Sequence, residues 1–280
     1  MTRDPRLTAA RADLAAEALR GLVEAPRYVE GHHRVVAEPV APLRHAPFSV
    51  AGLDTEALLG EGVTVYDQDA EGWSWVQLDA DGYVGYMPSE MLRVPAAPAT
   101  HRVSAPRTFL FPGPDIKLPP LTTFPFGARL AVREVGERFL RLAEGFVFAG
   151  HAVPLDAREA DFVAVAARFL GTPYLWGGRS AFGLDCSGLV QTALAACGQD
   201  CPRDSDMQER ALGALVPLDG PFLRGDLLFW PGHVAIVDDP QTLLHANAFH
   251  MMVAREPLDA ALARIAAVTP LRSARRLAGG

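Results

Sequence analysis

The sequence has few cysteines, no long apolar run and no excess of basic residues. Cys186, Cys197 and Cys201 are its only cysteines, and an odd number crowded into one short window is not a disulfide framework. No run approaches the roughly eighteen apolar residues that a membrane-spanning helix needs. Acidic residues outnumber basic ones by 33 to 26, for a net charge of −7, whereas nucleic-acid binders usually carry the opposite balance. We therefore predict neither a membrane span nor a nucleic-acid partner.

The first residues also lack the pattern of an export signal. A secretory signal needs a basic start, an apolar run of roughly 7–15 residues and a small-residue cleavage site. Here residues 1–17 are interrupted by charge throughout, and no cysteine precedes Cys186 to serve as a lipid attachment site. We therefore expect a protein of the reducing cytoplasm.

The sequence does contain enough apolar residues for packed cores. They make up 49% of the chain, which excludes wholesale disorder, while 25 glycines and 23 prolines argue against a mainly helical bundle. Residues 8–23 are an exception, because Leu14, Ala18, Leu19, Leu22 and Val23 recur at helical spacing. We expect residues 1–32 to form a short helical arm that packs on a neighbouring element.

A stretch of short alternating runs follows this arm. Residues 63–66, 73–78 and 83–87 alternate as strands do and are separated by Asp- and Gly-rich turns, while residues 88–92 close the unit. Such a series of hairpins predicts a small barrel, which we place at residues 33–95.

A second stretch repeats this layout. Residues 139–155 align beneath residues 75–92, with an apolar strand, a glycine turn, an aromatic-rich strand and a closing segment in the same order. Residues 128–135 likewise correspond to the earlier strand at 63–66. The duplicated pattern resembles bacterial SH3-like domains, so we expect a second barrel at residues 98–154 after a Pro/Ala linker.

The pattern changes again over residues 155–280. Asp156, with Glu159 three residues later, has the spacing of a capping box ahead of a helix over residues 161–170. A second helix is predicted to begin at Cys186 and to end at Gly198. Three strands are then expected, at residues 226–230, 233–237 and 243–246. Helices followed by strands indicate an α+β domain.

One cysteine and two histidines in this domain are candidates for nucleophilic catalysis. The positive end of a helix and a nearby imidazole both lower a thiol pKa, and Cys186 is predicted at a helix start. His233 opens a strand, and His245 in the next strand could orient its ring, in the chain order of papain-like enzymes. On spacing alone, Cys186 could equally be a buried structural thiol and the histidines ordinary strand residues. A metal site built from Cys197, Cys201 and one histidine is a further reading, although it lacks paired CxxC motifs.

The residues around Cys186 decide between these alternatives. Five segments follow one another in order: YLWGG at 174–178, GLDCSGLV at 183–190, PRDS at 202–205, GDLLFW at 225–230 and HVAIV at 233–237. Over roughly residues 158–270, this string resembles the NlpC/P60 family of cysteine peptidases, which cleave peptidoglycan peptides. The resemblance implies a papain-like fold without a metal or other cofactor, with Cys186 as nucleophile, His233 as general base and His245 as the third polar member.

The domain order narrows the expected substrate. SH3-like units ahead of such a domain, without an export signal, resemble the γ-D-glutamyl-L-diamino-acid endopeptidases of murein-peptide recycling. The resemblance implies a murein peptide, L-Ala-γ-D-Glu-diamino acid, with a free N-terminal L-alanine as substrate. Asp185 matches the residue expected to hold the ammonium, although it could instead be a plain helix cap. The other residues that we assign to substrate binding by this resemblance are Tyr83, Glu61, Tyr174 and Ser187.

Two other functions fit the same residues less well. In one, the SH3-like pair captures cell-wall fragments and the papain-like domain is incidental, but the intact Cys186, His233 and His245 argue against a decayed enzyme. In the other, the same thiol–imidazole chemistry serves an acyltransferase or an amidase. The products formed would separate these activities from a peptidase.

Overall fold

The structure is a computed structural model that describes residues 3–277. The chain divides into two compact units, residues 1–157 and residues 158–280, which we describe separately. Over the described residues, no helix combines the length and the apolarity needed to cross a lipid bilayer.

The first unit is built of short strands with single turns of 3-10 helix between them. Its strands are β1 (Ala10–Arg11), β2 (Leu14–Ala16), β3 (Tyr28–Val29), β4 (His32–Val36), β5 (Val40–Arg44), β6 (Leu53–Leu58), β7 (Gly62–Gln68), β8 (Trp73–Leu78), β9 (Val84–Pro88), β10 (Leu92–Arg93), β11 (His101–Val103), β12 (Arg107–Phe111), β13 (Thr122–Pro125), β14 (Arg129–Leu130), β15 (Glu134–Val135), β16 (Phe139–Arg141), β17 (Phe146–Phe148) and β18 (Ala152–Pro154). The 3-10 turns are Pro5–Leu7, Glu17–Leu19, Ser89–Met91 and Ala149–His151.

The helical arm expected at the N-terminus is wrong. Between residues 5 and 29 the chain forms two 3-10 turns and the small sheet β1-β2-β3. All three residues of β2 are buried, which one face of a surface helix cannot achieve, while Leu22 of the expected helical stripe is 60% exposed. The extended form also brings Leu14 into an apolar cluster with Trp75. Tertiary packing and sheet pairing therefore override the helical spacing of this segment.

The two SH3-like repeats share one pattern of strand pairing. In the first, β4 pairs with β7 and β10, β5 with β6 and β9, and β8 with β7 and β9. In the second, β11 pairs with β14 and β18, β12 with β13 and β17, and β16 with β15 and β17. In both repeats a 3-10 turn precedes the closing strand. This agreement confirms the duplication read from the sequence, whereas the four-domain boundaries stay predictions that the repeated pairing supports.

The two repeats differ in the segment that follows their second hairpin strand. The single strand expected over residues 128–135 is two strands, because β14 pairs with β11 while β15 pairs with β16. Leu59, which follows β6 in the first repeat, is buried in the apolar cluster of the second repeat, among Val103, Leu130 and Val147. Neither repeat closes its sheet into a complete barrel within residues 3–277.

The second unit combines four helices with one large antiparallel sheet over the described residues. Its elements are α1 (Phe162–Ala167), β19 (Arg179–Ser180), β20 (Gly183–Leu184), α2 (Cys186–Ala196), α3 (Ser205–Ala211), β21 (Ala214–Val216), β22 (Leu227–Trp230), β23 (His233–Asp239), β24 (Thr242–Asn247), β25 (Met252–Pro257), α4 (Leu258–Ala266) and β26 (Ser273–Arg276). The sheet has the order β21-β26-β22-β23-β24-β25. The α+β class is thereby confirmed.

The central strands of this sheet are buried on both faces. Every residue of β22 is buried, as are Val234 to Asp238 of β23, which explains why these segments are nearly continuous apolar runs. Alternate residues, including Trp230, Ala235 and Leu243, form a cluster with Leu258 and Ala261 of α4. Helix α4 therefore covers one face of the sheet.

Helix α1 lies within the predicted residues 161–170, but its N-cap is not the predicted one. Its N-cap is Asp161, whose Oδ1 accepts hydrogen bonds from the backbone N–H groups of Val163 and Ala164. The expected capping box fails because Asp156 lies outside the helix and the Glu159 carboxylate instead binds Arg168 at 2.7 Å.

We expect Asp161→Ala to lower the free energy of unfolding by about 1 kcal/mol, because it removes the acceptor for two helix-start N–H groups. Urea denaturation followed by circular dichroism measures the loss. Asp156→Ala is the matched control, with an expected change within about 0.5 kcal/mol. Equal losses in the two variants would restore the original assignment of the cap.

Candidate active site

Cys186 is the first residue of α2 and lies at its positive end. Asp185 is in extended conformation, and its Oδ1 accepts the Gly188 N–H at 2.7 Å, as an N-cap does. The Cys186 side chain is only 7% exposed. The backbone N–H groups of Val234 and Ser187 hydrogen-bond its sulfur. The nucleophile candidate is thus attached to the helix start and touches the beginning of β23.

The carboxylate of Asp185 connects three separate segments. Its Oδ2 accepts the Gly177 N–H at 2.9 Å, and the hydroxyl of Ser187 lies 3.2 Å from its Oδ1. Arg203 binds both of its oxygens, at 2.9 and 2.6 Å, and is itself only 1% exposed. These contacts favour the helix-cap reading of Asp185, and its role as ammonium partner stays a prediction.

Two glycines are required where these segments meet. A Cβ on Gly188 would lie inside contact distance of the Gly178 carbonyl oxygen, and one on Gly178 would meet the Gly183 carbonyl. Backbone cannot move aside as a flexible side chain can, so larger residues would push α2 away from the neighbouring loop. Glycine at both positions therefore allows the backbone to approach closely beside Cys186.

The two histidine candidates lie on one face of the sheet. Side chains two residues apart on a strand share a face, so His233 lies with Ala235 and His245 with Leu243. Ala235 and Leu243 both belong to the cluster covered by α4. His233 and His245 therefore occupy neighbouring strands on the α4 side of the sheet.

A line of hydrogen bonds runs from His233 to α4. His233 Nε2 lies 3.0 Å from His245 Nδ1, and His245 Nε2 lies 3.2 Å from Glu256 Oε2. Arg264 donates to both oxygens of Glu256, at 3.0 and 2.6 Å. The third position proposed for His245 is thus geometrically suited to orient His233, whose Nδ1 is not used in this line.

Burial dominates the charge states of the reacting groups. It raises the pKa of the Cys186 thiol to about 12, and the nearby Asp185 carboxylate also raises this pKa. The N–H of Val234 and the charge of Arg203 lower it, but by less. Burial also lowers the pKa of His233 to about 3 and that of His245 to about 4, in the latter case against the attraction of Glu256. The lowered thiol pKa expected from the sequence is therefore contradicted, because desolvation outweighs the helix start.

The other residues assigned to substrate binding occupy varied positions. Tyr174 is half-buried, and burial together with the nearby Cys186 and Asp185 raises the pKa of its phenol, so the hydroxyl remains a donor. Ser187 is buried and accepts a hydrogen bond from Arg203 at 2.9 Å.

Tyr83 and Glu61 belong to the first SH3-like repeat and are also buried. Glu61 is 7% exposed and accepts the Leu58 N–H at 2.8 Å, and Tyr83 is 6% exposed. Neither side chain is therefore a solvent-exposed surface residue of the repeat. Substrate binding by these two residues stays a prediction.

Sequence reasoning missed Glu256 and Arg264. Glu256 is 7% exposed and lies diagonally across the β24–β25 hairpin from His245, a position that only the hairpin register reveals. Arg264 reaches Glu256 from α4, a contact between two separate elements that no local pattern in the sequence indicates. Trp176, within the YLWGG segment, is 69% exposed.

One group of side chains in the described part of the chain has the spacing of metal ligands. Donor atoms of His245, His250 and Glu256 lie within 4.8 Å of one another. Both oxygens of Glu256 are already bound by Arg264, however, and His245 uses its Nε2 on the same carboxylate. A metal ion would have to displace a guanidinium, so the group fits a hydrogen-bonded relay better than a metal centre.

Two family models match separate parts of this chain. The NlpC/P60 family model matches residues 171–265, and that of the bacterial dipeptidyl-peptidase SH3 domain matches residues 43–92. A γ-D-glutamyl-L-lysine dipeptidyl-peptidase of Bacillus subtilis is 36% identical over 64% of each chain. An enzyme of the same name from Bacillus cereus is 30% identical over 74% of this chain and 71% of its own.

A solved structure resembles the whole fold. The crystal structure of an NlpC/P60 family protein from Bacillus cereus has a TM-score of 0.72 and 24% identity, and the match covers 88% of this chain and 99% of that one. The family model and the named relatives identify the chain as a cysteine peptidase. The chain belongs to the NlpC/P60 family.

We expect Arg203→Met to lower the free energy of unfolding by about 3–5 kcal/mol, because the Asp185 carboxylate would remain buried without its countercharge. Thermal or urea denaturation measures the change. Arg210→Met is the control, since Arg210 pairs with Asp206 on the surface of α3 and should cost no more than about 1 kcal/mol. A loss for Arg203→Met no larger than that of the control would contradict the role given to this pair.

A raised thiol pKa means that Cys186 stays protonated through the neutral range. The thiolate fraction then grows tenfold with each pH unit, so the rate of alkylation by iodoacetamide should rise steadily from about pH 7 to about pH 10. Peptide mapping in a Cys197→Ser/Cys201→Ser background follows Cys186 alone. A rate that is level between about pH 5 and pH 8 would instead indicate a preformed thiolate–imidazolium pair.

Proposed function

We propose that this protein is a cysteine endopeptidase that cleaves the γ-D-glutamyl–diamino acid bond of murein peptides with a free N-terminal L-alanine. The observation that carries the proposal is the placement of Cys186 at the start of α2, in contact with the β23 backbone beside His233. The names of the Bacillus relatives support the bond that is cleaved.

The reaction follows from the protonation states of the groups. The Cys186 thiol passes its proton to Nδ1 of His233 while the sulfur attacks the γ-carbonyl carbon of the D-glutamate. The imidazolium then protonates the leaving amine of the diamino acid, and a thioester remains. A water molecule attacks the thioester, gives its proton to His233, and releases the γ-carboxylate and the free thiol.

The oxyanion of the tetrahedral intermediate needs donors directed at the carbonyl oxygen. The backbone N–H of Cys186 occupies the first position of α2, where a helix offers no acceptor of its own. The Tyr174 hydroxyl is the second donor that we propose, because its raised pKa keeps it protonated beside the thiol. Ser187, Asp185, Tyr83 and Glu61 complete the proposed set of substrate contacts.

We further propose that the enzyme works on trimmed peptides in the recycling of the cell wall, in a reducing cytoplasm. All three cysteines are free thiols, as that compartment favours. An enzyme that selects a free N-terminal L-alanine acts on stems already released from the glycan, which is the chemistry of recycling.

The test is incubation with L-Ala-γ-D-Glu-meso-diaminopimelate, with the L-lysine analogue and with the N-acetylated form of each. We expect L-Ala-D-Glu and the free diamino acid by mass spectrometry, and at least a tenfold lower rate for the acetylated forms, which lack the ammonium. Equal turnover of free and acetylated peptides would contradict the recognition of the N-terminus. Products of acyl transfer, or release of ammonia, would indicate a different activity on the same scaffold.

Cys186→Ala is the matched control for the chemistry. We expect it to fold normally and to lose at least about 1,000-fold in kcat, since it removes the nucleophile. Cys197→Ala should keep the wild-type rate. Tight binding of the peptides without turnover by the wild type would favour a binding module instead.

A further inference from the structure

The line of hydrogen bonds that begins at His233 does not end at His245. Glu256 lies on β25, the next strand of the sheet, and is 7% exposed, while Arg264 reaches it from α4. The guanidinium binds the carboxylate through two donors, Nε and one terminal nitrogen. A bidentate pair of this kind fixes the plane of the carboxylate, and with it the oxygen that faces His245.

This pair fixes the protons of the two histidines by elimination. Burial raises the pKa of Glu256, but the hydrogen bonds and charge of Arg264 outweigh it and hold that pKa below its usual value, so the carboxylate is ionised and can only accept hydrogen bonds. His245 must therefore donate from Nε2, and as a neutral ring it then has an acceptor at Nδ1. His233 must donate from Nε2 to that atom, which leaves its own Nδ1 without a proton.

We propose that Glu256, held by Arg264, is a positioning residue that fixes the tautomers of His245 and His233 so that Nδ1 of His233 is the acceptor of the Cys186 proton. The proposal rests on the function proposed above. With the opposite tautomers, Nδ1 of His233 would carry a hydrogen and could not accept another. Glu256 touches neither substrate nor sulfur in this account and acts only through His245.

The neighbouring groups support this assignment over a merely structural one. His250 binds Asn247 through its Nδ1 at 3.0 Å, and Asn247 contacts the His245 carbonyl, so these residues shape the hairpin turn and leave the line from His245 to Glu256 intact. Two protonated rings next to each other would repel. An ionised carboxylate followed by two neutral rings instead satisfies every donor and acceptor along the line.

Glu256→Gln tests the proposal. The glutamine amide can adopt two orientations. In one its nitrogen faces a donor of Arg264, and in the other it faces donors of both Arg264 and His245. Neither orientation satisfies all partners, so a single tautomer of His245 is no longer enforced. We expect kcat on the murein peptide to fall about 10- to 100-fold with KM within about twofold, because substrate contacts are untouched. Glu256→Asp, which keeps the charge, should recover part of the rate.

Glu209→Gln is the matched control. Glu209 is also a buried glutamate whose two oxygens bind one arginine, Arg272, but it lies on α3 and contacts no histidine of the relay. We expect a loss of stability like that of Glu256→Gln with kcat unchanged within about twofold. A similar fall of kcat in both variants would assign the effect to general destabilisation and overturn the proposal.

A second readout needs no substrate. Nitrogen-15 NMR of histidine-labelled protein reports which ring nitrogen carries hydrogen, with resonances assigned by substituting single histidines. We expect Nε2–H on both His233 and His245 in the wild type and mixed tautomers in Glu256→Gln. Unchanged tautomers in Glu256→Gln would overturn the proposal even if no peptide were cleaved, whereas changed tautomers with an inactive wild type would refute only the proposed function.

Discussion

The arrangement of the site depends on one buried ion pair, between Asp185 and Arg203. A carboxylate removed from water needs a countercharge and several donors, and here the donors come from the loop before β19, from the start of α2 and from Arg203 beyond its end. Satisfying this one group therefore brings three segments together. Cys186 is the next residue after Asp185, so its position is fixed by the same contacts.

The antiparallel sheet fixes the positions of the two histidines and of Glu256. His233, His245 and Glu256 lie on three neighbouring antiparallel strands, and the period of two directs all three to the face beneath α4. A shift of one residue in the register of β24 would turn His245 to the opposite face. The apolar residues that alternate with the polar ones thus hold the relay in register as well as forming the core.

The sequence was most informative where function imposes local patterns. The residues around Cys186, the start of its helix and the three strands were predictable because each depends on neighbours in the chain. Segment 8–23 was misjudged because its apolar spacing suits a helix, while pairing with strands and packing on Trp75 decide its conformation. Glu256 could not be found, since its link to His245 exists only through the register of a hairpin.

Burial of the site has a consequence for reactivity. A protonated thiol beside a neutral imidazole is a weak nucleophile, so an empty site of this kind reacts slowly with small electrophiles and oxidants. In the reaction that we propose, proton transfer to His233 becomes favourable once attack on a carbonyl carbon has begun, because the thiolate charge then moves to an oxygen that meets preorganised donors. The bound substrate thereby supplies the free energy needed to ionise the buried thiol. Desolvation suppresses the thiolate in the absence of substrate, and for the same reason it makes the thiol selective for that substrate.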